Sequence, residues 1–202
     1  MSKILILFAH PALEKSRVHR KLIRPVRLLK NITFHDLYQV YPDMDIDMEY
    51  EKKLLLQHDI VILQHPFYWY SAPALIKQWL DLVLEHGWAY GPGGTALANK
   101  KIFNVITCGG SREMYQKSGR NRFTINELLS PFNQTAFLCH MEYLPPYVVH
   151  GTHRISETDI DLHAVQYEEL LIAIQSGRIT ENEWQQAEYL NDLIPIPKII
   201  QS

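Results

Sequence analysis

The sequence predicts a doubly wound α/β fold with a five-stranded parallel sheet, and three observations lead there. Apolar β-type runs alternate with helical patterns along most of the chain. The runs are continuous rather than alternating, as in strands covered on both faces. Their carboxyl ends open into loops rich in rings or glycine, where open parallel sheets bind ligands.

The central stretch is residues 64–81, into which the apolar run Ile60, Val61, Ile62 and Leu63 leads and which opens with Pro66, Phe67, Tyr68, Trp69 and Tyr70. Short strand-to-helix turns usually carry Gly, Asn, Asp and Ser, so this ring-rich turn suggests a flat ligand. A lone ring cluster more often plugs the end of a core, and the position at a strand's carboxyl end is what argues against that here. Pro73 then suits a first helical turn, and Leu75, Ile76, Trp79, Leu80 and Val83 recur at helical spacing.

The first strand is predicted over 3–9 and ends at His10 and Pro11, before a helix over 16–29. Ser16 suits an N-cap, and the helix N-terminus behind it is a ready anion site. With neither GxGxxG nor GxxxxGK[ST] in the loop, a monophosphate fits better than a dinucleotide or triphosphate. The alternative is that Ser16 is only a cap and that His10 and His19 are surface residues. A second strand is expected over 32–37, then an irregular acidic and aromatic link over 38–47. Its carboxylates lack calcium-loop spacing and read as turn formers, so no metal is expected. A helix over 48–57 leads into the central strand.

After a helix over 73–85, Gly87, Gly91, Gly93 and Gly94 shape a long loop that Trp88 and Tyr90 mark as ordered. The fourth strand, 101–107, ends in Cys108, Gly109, Gly110 and Ser111, where paired glycines let backbone approach a ligand. One helix bent at Pro131 is predicted over 124–139, the fifth strand over 143–150, and a helix over 156–174 that Gly177 stops. Residues 1–177 form the domain. Residues 178–202 read as an extension, with a short helix capped by Thr180 and Glu183, and a loose tail broken by Pro195 and Pro197.

At 202 residues with a net charge of −2 and no block of like charge, the chain shows neither a nucleic-acid footprint nor a polybasic membrane anchor. No apolar run approaches the roughly 20 residues that span a bilayer, and the N-terminus lacks signal-peptide features, so a cytoplasmic protein is expected. Two distant cysteines, Cys108 and Cys139, suit reduced thiols rather than a disulfide framework or zinc site.

Five parallel strands with these loops fit a flavodoxin-like sheet of order 2-1-3-4-5 that holds FMN at its switch point. The segments LFAHP, DLYQVYPDMDID, QHPFYWYSAPALIKQWLD, HGWAYGPGG, TCGGSREMY and YLPP stand in the order seen in a known family. Across about residues 1–175 the chain resembles the flavodoxin-like NAD(P)H:quinone oxidoreductases, and among them the ancillary proteins of glutathione-regulated potassium efflux. The resemblance implies FMN, with FAD as the alternative, NADH or NADPH as donor, and a quinone or similar electrophile as acceptor. It also implies a homodimer and a membrane potassium-efflux antiporter as partner, with peripheral attachment to the cytoplasmic face of the inner membrane.

By this resemblance His10, Ser16, Arg17, Val18 and His19 match the loop for flavin phosphate and ribityl chain. Phe67, Tyr68, Trp69 and Tyr70, with Thr107, Cys108, Gly109 and Gly110, match the loops around the isoalloxazine. Tyr115 matches an active-site tyrosine, Tyr90 a ring of the substrate pocket, often from the neighbouring subunit, and Trp88 is its ring-bearing neighbour. Three positions depart: His19 where Asn is frequent, Cys108 where Thr is common, and Asn121 near the place of the family's active-site histidine. The last departure weighs against a full proton relay. It keeps open a different class of function, a regulatory subunit of the antiporter with little catalysis. A one-electron carrier fits less well, because such carriers are usually strongly acidic.

Overall fold

The computed structural model describes residues 1–196. In chain order the elements are β1 (Ile4–Phe8), α1 (Arg17–Val26), β2 (Ile32–Asp36), α2 (Leu37–Val40), α3 (Met48–Leu56), β3 (Ile60–Pro66) and α4 (Ala74–Val83). They continue with β4 (Lys101–Thr107), α5 (Ile125–Leu128), α6 (Ser130–Leu138), β5 (Glu142–Tyr143), β6 (Tyr147–Val149), α7 (Glu157–Gln175) and α8 (Glu181–Gln186). All pairings between these strands are parallel and the order is β2-β1-β3-β4-β5, with β6 also pairing β4.

The continuous apolar runs are explained by two cores. Leu5, Leu7, Val61, Leu63, Ile102 and Ile106 face one way, toward α3, α4 and α6. Ile4, Ile6, Phe8, Ile62, Phe103 and Val105 face the other, toward α1 and α7. Alternate side chains of each strand thus enter opposite layers, so both sets must be apolar.

Four local expectations change. The fifth strand is split: Pro145 and Pro146 carry no N–H for a ladder, so β5 and β6 pair with the two ends of β4 separately. The single helix bent at Pro131 is two helices, because Thr124 and Glu127 form a capping box that starts α5, and Pro131 then sits in the first turn of α6. Part of the irregular link is a one-turn helix, α2, capped by Asp36, while Asp47 caps α3 through the Tyr50 N–H at 3.0 Å. Finally, the tail is not loose through residue 196. Tyr189 and Leu190 are buried, and Asn191 bonds both Val148 N–H (2.8 Å) and Val148 carbonyl (3.1 Å), completing the edge of β6 like a strand. Pro197 lies outside the described residues.

α7 matches its signals closely. Ser156 accepts from the Asp159 N–H at 3.0 Å, and Gly177 follows the last turn at φ +69°, the left-handed conformation that ends helices.

Candidate functional site

The carboxyl ends of β1, β3 and β4 converge on a cleft of about 500 Å³, lined by His10, Ala12, Lys15, Ser16, Arg17, Val18, Pro66, Phe67, Tyr68, Thr107, Gly109, Thr152 and His153. Its floor at one end is the start of α1. Ser16 Oγ accepts the His19 N–H at 3.2 Å, which leaves the N–H groups of Arg17 and Val18 without intrahelical partners. Lys15 adds a positive side chain beside them. Arg17 contributes backbone only, because its guanidinium is held by Glu157 (2.8 Å) and the Ile155 carbonyl (3.0 Å).

His10 and His19 are not surface residues. His10 Nδ1 accepts from the Ala12 N–H at 3.1 Å, and burial lowers its pKa. His19 is fully buried beneath the cleft, and desolvation depresses its pKa well below the ordinary value, so it is neutral. Its partners set the direction of a relay: the Tyr167 hydroxyl donates to Gln64 Oε1 (3.1 Å), and the Gln64 amide lies 3.4 Å from His19 Nδ1. With Nδ1 accepting, Nε2 carries the proton and donates to Thr107 Oγ1 at 3.1 Å. The Thr107 hydroxyl is then left to donate into the cleft. The structure thus gives His19 a supporting place behind Thr107 rather than one on the cleft wall.

The aromatic turn carries backbone strain. Trp69 (φ +49°) and Tyr70 (φ +62°) are consecutive bulky residues in the left-handed region. Trp69 is 92% exposed while Phe67 is buried, so the turn presents rings at the cleft rim instead of plugging the core with all of them. Across the rim the Gly109–Gly110 loop adds two amides. A Cβ at Gly110 would stand 2.9 Å from Cε2 of the buried Tyr115 ring, so that position favours glycine, whereas one at Gly109 would meet only the exposed His153 side chain, at 2.6 Å from its Nε2.

Cys108, by contrast, turns inward. Its N–H donates to the Val149 carbonyl, its carbonyl accepts from Thr152, and its thiol lies 3.2 Å from His150 Nδ1, with burial pushing its pKa up to about 12. Tyr115 is 6% exposed, packed on Phe67 and His150, with its hydroxyl beside the Cys108 thiol. Burial, then the thiol, raise its pKa, so it stays a donor. Asn121 lies at the rim, its Oδ1 3.5 Å from the Tyr70 hydroxyl.

Trp88 and Tyr90 are not brought to this cleft. Both are half-buried against the core, tied down by the Gly87 N–H to the Tyr90 carbonyl (2.8 Å) and the Ala96 N–H to the Trp88 carbonyl (3.1 Å). The loop over 87–96 thus holds both rings against the core rather than projecting them. Tyr90 instead lines a second hollow of about 510 Å³ with Ile76, Leu80, Phe132, Leu138 and Cys139.

Lys15, Thr152 and His153 went unrecognised in the sequence. Thr152 and His153 follow the carboxyl end of the fifth strand position, the same signal that marked the other loops. Among the described residues, no three His, Cys, Asp or Glu side chains are grouped to hold a metal ion.

The sequence profile described as "Flavodoxin-like fold" matches residues 2–171. The chain belongs to the flavodoxin-like fold family. Within this flavodoxin-like family, it is 45% identical over 165 residues to the glutathione-regulated potassium-efflux system ancillary protein KefG of Serratia proteamaculans, covering 82% of this chain and 90% of the relative. The crystal structure of general stress protein 14 from Treponema denticola, in complex with FMN, superimposes with a TM-score of 0.82 at 39% identity, covering 86% and 99% of the two chains. That of an NADPH-quinone reductase from P. pentosaceus gives 0.76 at 35% identity, covering 83% and 96%.

Proposed function

We propose that the protein is an FMN-dependent NAD(P)H:quinone oxidoreductase working by a ping-pong mechanism. The observation that carries this reading is the cleft itself: an anion-binding helix start, a threonine donor and the Gly109 backbone, together with the rings of Phe67 and Tyr68, at the sheet's switch point. The FMN-containing and quinone-reductase relatives support it. The cleft volume also suits a flavin, since ligand sites commonly span about 300–1,000 Å³.

The Arg17 and Val18 N–H groups with Lys15 would hold the FMN phosphate. Thr107, Gly109 and Gly110 would hydrogen-bond the isoalloxazine, and Phe67, Tyr68, Trp69 and Tyr70 would flank it. Bound FMN supplies storage of two electrons between donor and acceptor. The rings flatten and dry the slot in which nicotinamide and quinone are admitted in turn. Tyr115 would donate a hydrogen bond to the quinone oxygen as charge develops there.

Protein freed of flavin by heat should release FMN on chromatography, and the reloaded protein should bleach with NADH or NADPH under anaerobic conditions. Uptake of neither FMN nor FAD ends the proposal, and uptake of FAD alone corrects the cofactor.

A second reading is a cytoplasmic regulatory subunit docked on a membrane potassium-efflux antiporter, as the name of the 45% identical relative suggests. The burial of Tyr115 against Cys108 and the asparagine at 121 favour it, because they leave the acceptor side poor in proton donors. The two readings part on whether quinone is turned over. Among the described residues no helix is long and apolar enough to cross a membrane. A homodimer is part of the proposal, with the α4–α6 hollow and exposed Phe137 and Leu138 as its contact surface.

A further inference from the structure

The segment after α8 reaches back to the loop that carries Tyr115. Arg112, in the 3₁₀ turn Arg112–Tyr115, makes a forked pair to Asp192 at 2.9 and 3.0 Å, pairs with Glu188, and lies 4.5 Å over the Tyr189 ring. Asn126, at the start of α5, donates to the Glu188 carbonyl at 3.2 Å. Beneath these outer contacts runs a chain of rings. Tyr189, 1% exposed, packs on His150 at 5.6 Å between centroids, and His150 packs on Tyr115 at 5.9 Å. The family profile ends at residue 171, so both ties are made by chain outside the matched core.

We propose that residues 187–196 are a positioning element for the 109–115 loop, with Glu188, Tyr189 and Asp192 setting where Tyr115 and the Gly109 and Gly110 amides stand. Arg112 is the receiving residue on the loop. A loop with two glycines has few conformational restraints of its own, so an outer ion-pair fork and an inner ring contact decide its position. The forked geometry matters more than charge alone, since a guanidinium fixes two directions where an ammonium fixes none. The functional half of the proposal, that loop position sets the fit of the acceptor, rests on the oxidoreductase reading. The structural half does not.

The test is backbone amide hydrogen exchange on the full chain, loaded with FMN, for the wild type, Glu188→Gln/Asp192→Asn, Tyr189→Leu and Arg112→Lys. The carboxylate changes are at partly exposed side chains and remove no core packing. Exchange over 109–123 should quicken roughly threefold to tenfold in the first two variants and less in Arg112→Lys, with α7 unchanged. With a soluble quinone, KM should rise about as much and FMN affinity should fall with it, because the Gly109 and Gly110 amides move with the loop, while the Ser16 cap of α1 at the phosphate end is untouched. Loop exchange at the wild-type rate in both variants, or quickening spread evenly over α7 and β6, overturns the positioning role. Quickening confined to the loop with no quinone turnover in the wild type upholds the clamp and removes the oxidoreductase reading instead.

Discussion

Thr107 is the residue on which the buried relay ends, and its two neighbours explain what each substitution should do. Thr107→Val keeps the shape but leaves the His19 Nε2–H without an acceptor and removes the donor to the cleft. Orphaning a buried donor costs about 1–3 kcal/mol, and losing one ligand hydrogen bond about tenfold in affinity. Thr107→Ser should restore both; thermal melts and flavin titration check the pair. Tyr115→Phe should slow flavin reoxidation by quinone roughly tenfold to a thousandfold with flavin affinity nearly unchanged, because the packed ring remains. Reoxidation at the wild-type rate would favour the regulatory reading. Asn121 donates hydrogen bonds but cannot carry a proton near neutral pH, so Asn121→His should raise the rate, as stopped-flow mixing would show.

The ring-rich turn between β3 and α4 carries its rings at a cost in backbone strain. Two successive bulky residues in the left-handed region cost on the order of 1 kcal/mol each, and Trp69 gains almost nothing from burial. Trp69→Gly should therefore raise stability by about 1 kcal/mol in urea unfolding while weakening the site. A loss of stability would show that Trp69 is packed against something in solution, with a second copy of the chain the first suspect. The N-terminus of α1 is the other element that borders the cleft. Ser16→Ala removes its side-chain cap and should cost about 1 kcal/mol.

Across the molecule, buried neutral histidines make stability depend on pH, His65 and His150 among them. Burial lowers His65 from 6.5 to about 4, and it also lowers His150 to about 4. The unfolded chain, with its higher pKa, takes up protons first as pH falls. Their contribution is thus fully present above pH 6.5, is lost between 6.5 and about 4, and falls no further below that. For His65, fully buried and bonded to Asn104 at 3.1 Å, the loss is on the order of 3 kcal/mol. Urea unfolding should show a flat plateau above neutrality and a decline through this window, and His65→Gln should shallow the decline. In sedimentation the chain should be a dimer, and Leu138→Asp should dissociate it. A monomer at every concentration would count against the α4–α6 surface.

Much of the architecture was legible in the residues alone, for a physical reason: strands buried on both faces need unbroken apolar runs, and helix starts need a short polar cap. Both signals are local. The runs in 3–9, 60–63 and 101–107 and the caps Ser16 and Ser156 therefore located strands and helices, and strand ends located the cleft loops. Long-range pairing was not legible. That His19 stands behind Thr107, that Cys108 faces His150, and that Trp88 and Tyr90 fold away from the cleft each depend on partners 40 or more residues distant or on loop closure. The tail is the sharpest case. Its polar composition reads as solvated chain, yet Tyr189 fills the core beside His150 and Asn191 completes an edge, because the split at Pro145 and Pro146 left a short strand needing a partner that only the folded sheet reveals.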